Sequence, residues 1–159
     1  MRRRKLKSDE VELWERVAKA TSPLKPPSKT INDNSKVIRK HKPQIIFHLA
    51  AQSSVLVSYK NPIDTIMTNV IGTTNILEAI KSSKSVKAGI IVTTDKVYLN
   101  LEKQKKFNEN DPLGGHDIYS GSKAASEIIF QSFLKSFFQD NRLNLATVRS
   151  GNCIGGGDW

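Results

Sequence analysis

The 159-residue sequence has a single cysteine, no glycine before position 72, no long apolar run and few acidic residues. One thiol excludes an internal disulfide and a Cys/His zinc cluster. The longest apolar stretches, Ile45-Ile46-Phe47 and Gly89-Ile90-Ile91-Val92, are far too short to span a bilayer. The N-terminus is basic, but no apolar segment follows it, so it does not read as a secretory signal. A glycine-rich turn before a strand at residue 45 is impossible, which removes the usual pyrophosphate-binding loop at a helix N-terminus. With 38% hydrophobic residues the chain is globular in composition, and disorder along its whole length is excluded. A soluble, reducing, cytoplasmic setting with no membrane partner is the expectation, and no metal site is expected.

What is present is an excess of basic residues, +10 at neutral pH, unevenly spread. Residues 1–43 hold 13 Lys/Arg against 5 Asp/Glu, and residues 44–159 hold 12 against 10. The chain therefore reads as a basic leader, residues 1–30, joined to a nearly neutral body, residues 31–159. Arg2, Arg3, Arg4, Lys5 and Lys7 open the leader. Ser8 before Asp9-Glu10 looks like a helix start, and Val11, Trp14, Val17 and Ala18 form one apolar stripe. Thr21-Ser22-Pro23 and Pro26-Pro27-Ser28 end it as a linker. Beyond Trp14 nothing here could stack or read bases, so a solvated tail is expected rather than a nucleic-acid interface. The leader, Arg2-Arg3-Arg4-Lys5-Leu6 with Glu12 to Val17 and Pro23-Leu24-Lys25-Pro26, resembles that of small-MutS-related nuclease-domain proteins.

The body alternates. Asp33–His41 is a short polar helix ended by Pro43. Ile45 to Ala50 is a continuous apolar run, as for a strand buried on both faces. Asn61-Pro62 opens a long helix with Ile66, Val70, Thr73, Leu77 and Ile80 at helical spacing. Gly89–Thr93 is a second strand. A polar excursion runs to Asp117, Tyr119–Phe138 is a second long helix, and Leu145–Val148 is a third strand. This βαβαβ order predicts an α/β chain with about three parallel strands, half of a Rossmann-like doubly wound sheet.

Tyr119 and Lys123 lie one turn apart on one helix face, where an ammonium favours the phenolate and makes tyrosine a usable base. Thr94-Asp95-Lys96 closes the second strand at its C-terminal end, where open α/β sheets bind ligands. His48, inside an apolar run, reads as a core residue, and Asn69 as a structural residue bonding backbone or water. Cys153 reads as a small buried hydrophobe without a partner that would activate it. Phe130, Phe133, Phe137 and Phe138 read as core or subunit-contact residues. Gly155-Gly156-Gly157 is followed by two residues only and makes a poor phosphate cradle.

Six strings carry a resemblance from about residue 31 onward. They are His48-Leu49-Ala50-Ala51-Gln52, Asn69-Val70-Ile71-Gly72-Thr73, Thr94-Asp95-Lys96-Val97-Tyr98, Glu109 to Asp117, Tyr119-x-x-x-Lys123 and Gly151-Asn152-x-Ile154 to Trp159. The sequence resembles the CDP-glucose 4,6-dehydratases of the extended short-chain dehydrogenase/reductase family, the NAD-dependent epimerases and dehydratases. That resemblance implies a hydro-lyase acting on a nucleotide sugar with NAD. It implies that Tyr119, helped by Thr94 and Lys123, takes the C4 hydroxyl proton while hydride leaves C4. Lys96 would take the C5 proton if desolvation freed its amine, and Asp95 would protonate the departing C6 hydroxyl. Lys123 and Tyr119 would also bond the nicotinamide ribose, Ala50 and Ala51 would let the cofactor approach the backbone, and Asn152 would lie near the sugar nucleotide.

Against the family pattern, the glycine loop for NAD is missing from this chain, and so is a C-terminal substrate domain. The expectation is a truncated or chimeric product, inactive alone, whose strand at 45 leaves an apolar edge of Ile and Phe uncovered. A homo-oligomer or a separately encoded complementing subunit is the partner class this leaves open. A basic nucleic-acid-binding fusion is the alternative in a different class.

Overall fold

A computed structural model describes residues 8, 12, 16, 31–101, 106–139 and 143–153, with the backbone alone for 31–33. The apolar stripe and linker of the leader, and with them its likeness to the nuclease proteins, lie outside the described residues, as does the string Ile154 to Trp159. The chain divides into two compact units, Met1–Thr30 and Ile31–Trp159. In the first, Ser8, Glu12 and Arg16 are helical and exposed, and Arg16 Nη2 lies 2.9 Å from Glu12 Oε1, an i,i+4 ion pair. Ser8, read from the sequence as the residue before the helix, is itself helical.

The second unit runs α1 (Ile31–His41), β1 (Ile45–His48), α2 (Val55–Lys60), α3 (Pro62–Ile66), a π-turn (Met67–Ile71), α4 (Gly72–Lys81), β2 (Ala88–Thr94), a 3₁₀ turn (Asp95–Val97), α5 (Ile118–Phe137) and β3 (Asn144–Ser150). Helix α1 ends where Lys42 turns to φ 48°, donating its N–H to the Ile38 carbonyl at 2.8 Å, and Pro43 cannot continue it. No pattern in the sequence announces α2. Ser54 starts it, accepting the Val57 N–H at 3.3 Å. Pro62 sits in the first turn of α3, where its missing N–H costs nothing.

The strands pair in parallel, in the order β1-β2-β3, with Ile45 beside Ala88 and Ala88 beside Asn144. Two crossovers of the same hand stepping in one direction put both connecting helices on one face. The core lies there: Leu77 of α4, Ile91 of β2 and Phe130 of α5 form one cluster. Ile38 of α1 with Ala79, Ile80 and Val86 forms a second, against which Phe138 packs.

Two expectations change at this point. Strand β1 is not buried on both faces. Ile46 and His48 turn to the helices, whereas Ile45 and Phe47 point the other way and are 56% and 62% exposed. The helical phase expected after Pro62 also shifts. A π-turn takes more than four residues, so Thr65, Asn69, Thr73 and Leu77 face inward in succession, four apart, and Ile66 is turned out. Among the phenylalanines, Phe130 is core and Phe137 is largely exposed.

His48 Nε2 lies 3.3 Å from Thr73 Oγ1, and that hydroxyl gives its hydrogen to the Asn69 carbonyl at 2.7 Å. Toward His48 the hydroxyl can therefore only accept, so Nε2 carries a hydrogen on a neutral ring. Burial first, and the Lys123 ammonium second, hold the His48 pKa below 6.5. The unfolded chain thus binds more protons than the folded one between that lowered value and 6.5, and stability falls as pH drops through this window. Denaturant midpoints measured from pH 7.5 to 5 should decline, and His48→Gln should flatten the decline. An unchanged slope in the variant would contradict the assignment.

Candidate active site

In a parallel sheet all strand C-termini reach one edge, and loops there are free to build a site. At this edge stand Ala50 and Ala51 after β1, Thr94 at the end of β2 with Asp95 and Lys96 beyond it, and Asn152 after β3. Helix α5 begins beside them and brings Tyr119. The helix is fixed there by Asp117, whose Oδ1 accepts the Ser120 N–H at 2.9 Å and whose Oδ2 accepts the Ser120 hydroxyl at 2.7 Å. Gly115 makes the approach possible. A Cβ there would sit 2.4 Å from the Gly121 nitrogen and 2.6 Å from the Ser120 carbonyl carbon, and neither backbone atom can give way.

Thr94, Asp95, Lys96 and Tyr119 come together. Thr94 is buried and its Oγ1 accepts the Lys96 N–H at 3.3 Å, capping the 3₁₀ turn, while donating to Asp95 Oδ1 at 3.1 Å. The Tyr119 hydroxyl lies beside the Thr94 hydroxyl. Lys96 Nζ stands 6.0 Å from the centre of the Tyr119 ring. Asp95 and Lys96 are both exposed. The burial on which Lys96's role as a base was expected to depend is therefore not supplied by the described residues around it. Ala51 is half-buried and Ala50 and Asn152 are exposed at the same edge, with no hydrogen bond to the Thr94–Tyr119 group. Gly151 does reach it, since a Cβ there would meet Asp95 Oδ2 at 3.9 Å.

In the free chain Lys123 is engaged by the sheet. It is buried, and its ammonium donates to the Val92 carbonyl of β2 at 3.2 Å. Burial lowers its pKa. Tyr119 is pushed up from 10, first by burial, with the Thr94 hydroxyl pulling down and the Asp95 and Asp117 carboxylates pushing up. In the protein alone the phenol is held, not the phenolate. Cys153, expected to be buried, is exposed, and a thiolate there would add to the same upward push.

Several residues outside the Thr94–Tyr119 group shape the site. Asn69, inward because of the π-turn, accepts the Gln52 N–H at 2.8 Å and donates to the Gln52 carbonyl at 3.0 Å and to Ser122 Oγ at 2.9 Å. It sews the loop after β1 to α5, the backbone-bonding role read for it from the sequence. Segments 98–99 and 112–114 lie side by side: Leu99 donates to the Pro112 carbonyl and Gly114 to the Val97 carbonyl, both at 2.8 Å. They frame a cleft of about 610 Å³ lined by Asp95, Lys96, Tyr98, Phe107, His116 and Ser120 among others. His116 is placed by a 2.8 Å contact from Nε2 to the Asn100 carbonyl. Asp95, Lys96, Tyr98 and His116 stand in strings singled out in the sequence, whereas Phe107 stands in none. The side walls come from residues far apart in the chain.

A family model described as GDP-mannose 4,6 dehydratase matches residues 5–145. The chain is 46% identical over 127 residues to the CDP-glucose 4,6-dehydratase of Salmonella typhimurium, covering 77% of this chain and 35% of that protein. It is 34% identical over 129 residues to the dTDP-D-glucose 4,6-dehydratase of Dictyostelium discoideum, covering 75% and 29%. The chain thus spans about a third of the length of the curated relatives it matches. Among solved structures it is similar to the UDP-glucose 4-epimerase of Thermus thermophilus in complex with NAD, at 25% identity and TM-score 0.65, over 75% of this chain and 37% of that one. The structure of RMD from Pseudomonas aeruginosa complexed with NADPH shares the fold at 22% identity and TM-score 0.68, over 94% and 52%. No described helix is long and apolar enough to cross a membrane.

Two measurements follow from this geometry. Asp117→Ala removes the cap of α5 and should cost about 1 kcal/mol in denaturant unfolding; a loss near zero would mean the cap contributes nothing. In a spectrophotometric titration one phenol should ionise above pH 10 and be missing from Tyr119→Phe. If the variant loses a phenol that titrates at or below 10, Tyr119 is not buried as described.

Proposed function

Since the chain belongs to the GDP-mannose 4,6 dehydratase family, we propose that residues 31–159 carry the acid–base strip of a nucleotide-sugar 4,6-dehydratase whose substrate is CDP-glucose. The observation that supports this most is the cluster of a hydroxyl, a carboxylate and an amine in Thr94-Asp95-Lys96 against the Tyr119 phenol at the open edge of the sheet. The 46% identity to a CDP-glucose 4,6-dehydratase supports the choice of sugar nucleotide.

NAD is the cofactor of this reading. Tyr119 and Lys123 would hold its nicotinamide ribose, and Ala50 and Ala51 leave room for it along the edge after β1. Both parts suit that end of the molecule, because Lys123 already presents a desolvated ammonium at Val92 and the two alanines add no bulk. For the pyrophosphate, the described residues offer no glycine-rich turn from strand to helix, so they account for the nicotinamide end alone. When bound, the cofactor supplies a hydride acceptor and then a hydride donor.

The side chains divide the proton work. Tyr119 takes the C4 hydroxyl proton, with the Thr94 hydroxyl beside its phenol. Because burial holds the phenol protonated in the free chain, this step needs positive charge brought near the ring with the cofactor or turned toward it from Lys123. With a ketone at C4, the C5 proton is acidified. Lys96, exposed in the free chain, takes it once bound substrate shields the amine from water, Asp95 in its acid form protonates the C6 hydroxyl, and water leaves as the C5–C6 double bond forms. Asn152, after β3, faces the sugar nucleotide from the third strand.

The acid–base half can be tested without redox chemistry. CDP-4-keto-6-deoxyglucose has an acidic C5 proton, and in D₂O the chain should speed its exchange, read by proton NMR. Lys96→Met should slow that exchange by roughly 10²–10⁴-fold, the usual contribution of a positioned base. Exchange by the wild-type chain no faster than in buffer would sink the proposal.

A further inference from the structure

Glu127 is buried at 1% exposure in α5, two turns beyond Tyr119 and one beyond Lys123, and plays no part in the chemistry above. A carboxylate so placed must be paired to remain charged. Its Oε1 accepts the Thr93 hydroxyl at 2.6 Å and Arg149 Nε at 2.8 Å, and its Oε2 accepts Arg149 Nη2 at 2.5 Å. This is a bidentate fork, the geometry in which arginine holds a carboxylate most firmly. The remaining guanidinium nitrogen, Nη1, donates to the Glu109 carbonyl at 3.1 Å. The guanidinium carbon lies 4.7 Å from the centre of the Tyr98 ring, and Tyr98 is stacked on Phe107 at 4.7 Å between centroids and 9° between planes. Tyr98 and Phe107 line the cleft beside Asp95 and Lys96, while Arg149 does not.

We propose that Arg149, locked by Glu127, is a positioning residue for the sugar-facing wall of the cleft, tying Tyr98, Phe107 and the Glu109 carbonyl to the helix that carries Tyr119 and Lys123. Residues 99–117 have no regular structure apart from the Tyr98–Leu113 bridge among the described residues, and the hydrogen bonds of Leu99, Gly114 and His116 hold the arms of this segment to each other and to Val97. The fork adds a tie from this segment to β3 and α5 together. A wall set from α5 keeps a constant separation from the phenol, so the hexose ring meets Tyr119 and Lys96 from one orientation. The inference deepens the function proposed above and rests on it for the identity of the ligand.

Arg149→Lys keeps the charge but loses the fork, and Glu127→Gln keeps an acceptor for Thr93 but loses the charge. Hydrogen exchange of the full-length chain should show the Leu99 and Gly114 amides at least tenfold faster in both variants, with the amides of β2 and α5 unchanged. In the C5-exchange assay with the keto nucleotide, the apparent KM should rise at least fivefold while kcat stays within twofold. Loop amides at the wild-type rate in both variants would overturn the proposal. So would equal acceleration throughout the sheet and α5, or a fall in kcat at constant KM. If the wild-type chain shows no C5 exchange at all, the dehydratase reading fails and the amide rates alone decide the clamp.

Discussion

A helix that buries Tyr119, Ser122, Lys123, Ser126 and Glu127 along one side must find a partner for each polar atom it takes from water. Much of this structure follows from that requirement. Lys123 reaches the Val92 carbonyl, Glu127 reaches Thr93 and Arg149, Ser126 reaches the Asn69 carbonyl at 2.9 Å, and Ser122 accepts from the Asn69 amide. No buried side-chain nitrogen or oxygen among the described residues is left without a partner. Because the bonds run to three elements, β2, β3 and the π-turn, α5 can occupy only one register against them. An apolar helix face could slide by a turn at modest cost, and this one cannot.

The catalytic proposal depends on that fixed register more than on any one residue. Tyr119 lies at the first turn of α5, where Gly115 lets the preceding loop touch the helix backbone and Asp117 caps it. Thr94 lies where β2 ends. Their meeting is thus set by the Lys123 and Glu127 bonds one and two turns further along. The same burial that fixes the helix also raises the Tyr119 pKa and lowers that of Lys123. Each group is held in its neutral direction until a ligand changes the local charge.

Much of the fold was legible in the sequence because its signals are local. Pro43 and Pro62 mark helix ends, the apolar runs at 45 and 89 mark strands, and the strand–helix alternation implies a parallel sheet. The motif residues Thr94 to Lys96, Tyr119 and Lys123 were legible too, as short strings at helix spacing or at a strand end. The faces of the elements were not. An apolar strand looks the same whether one side or both are covered, and Phe47 shows which only once the crossovers are placed. A π-turn has no composition of its own, so the inward turn of Asn69 and the outward turn of Ile66 could not be read from periodicity.

By itself the sequence determined the order of the strands and long helices, the parallel sheet and the chemical types brought to its C-terminal edge, since these depend on neighbours a few residues apart. Only the tertiary structure decided where the ammonium of Lys123 points, that Asp95, Lys96 and Cys153 stay exposed, and that Glu127 and Arg149 face each other from residues 22 positions apart. Burial and pairing across long separations are properties of packed surfaces, and a linear pattern carries no measure of them.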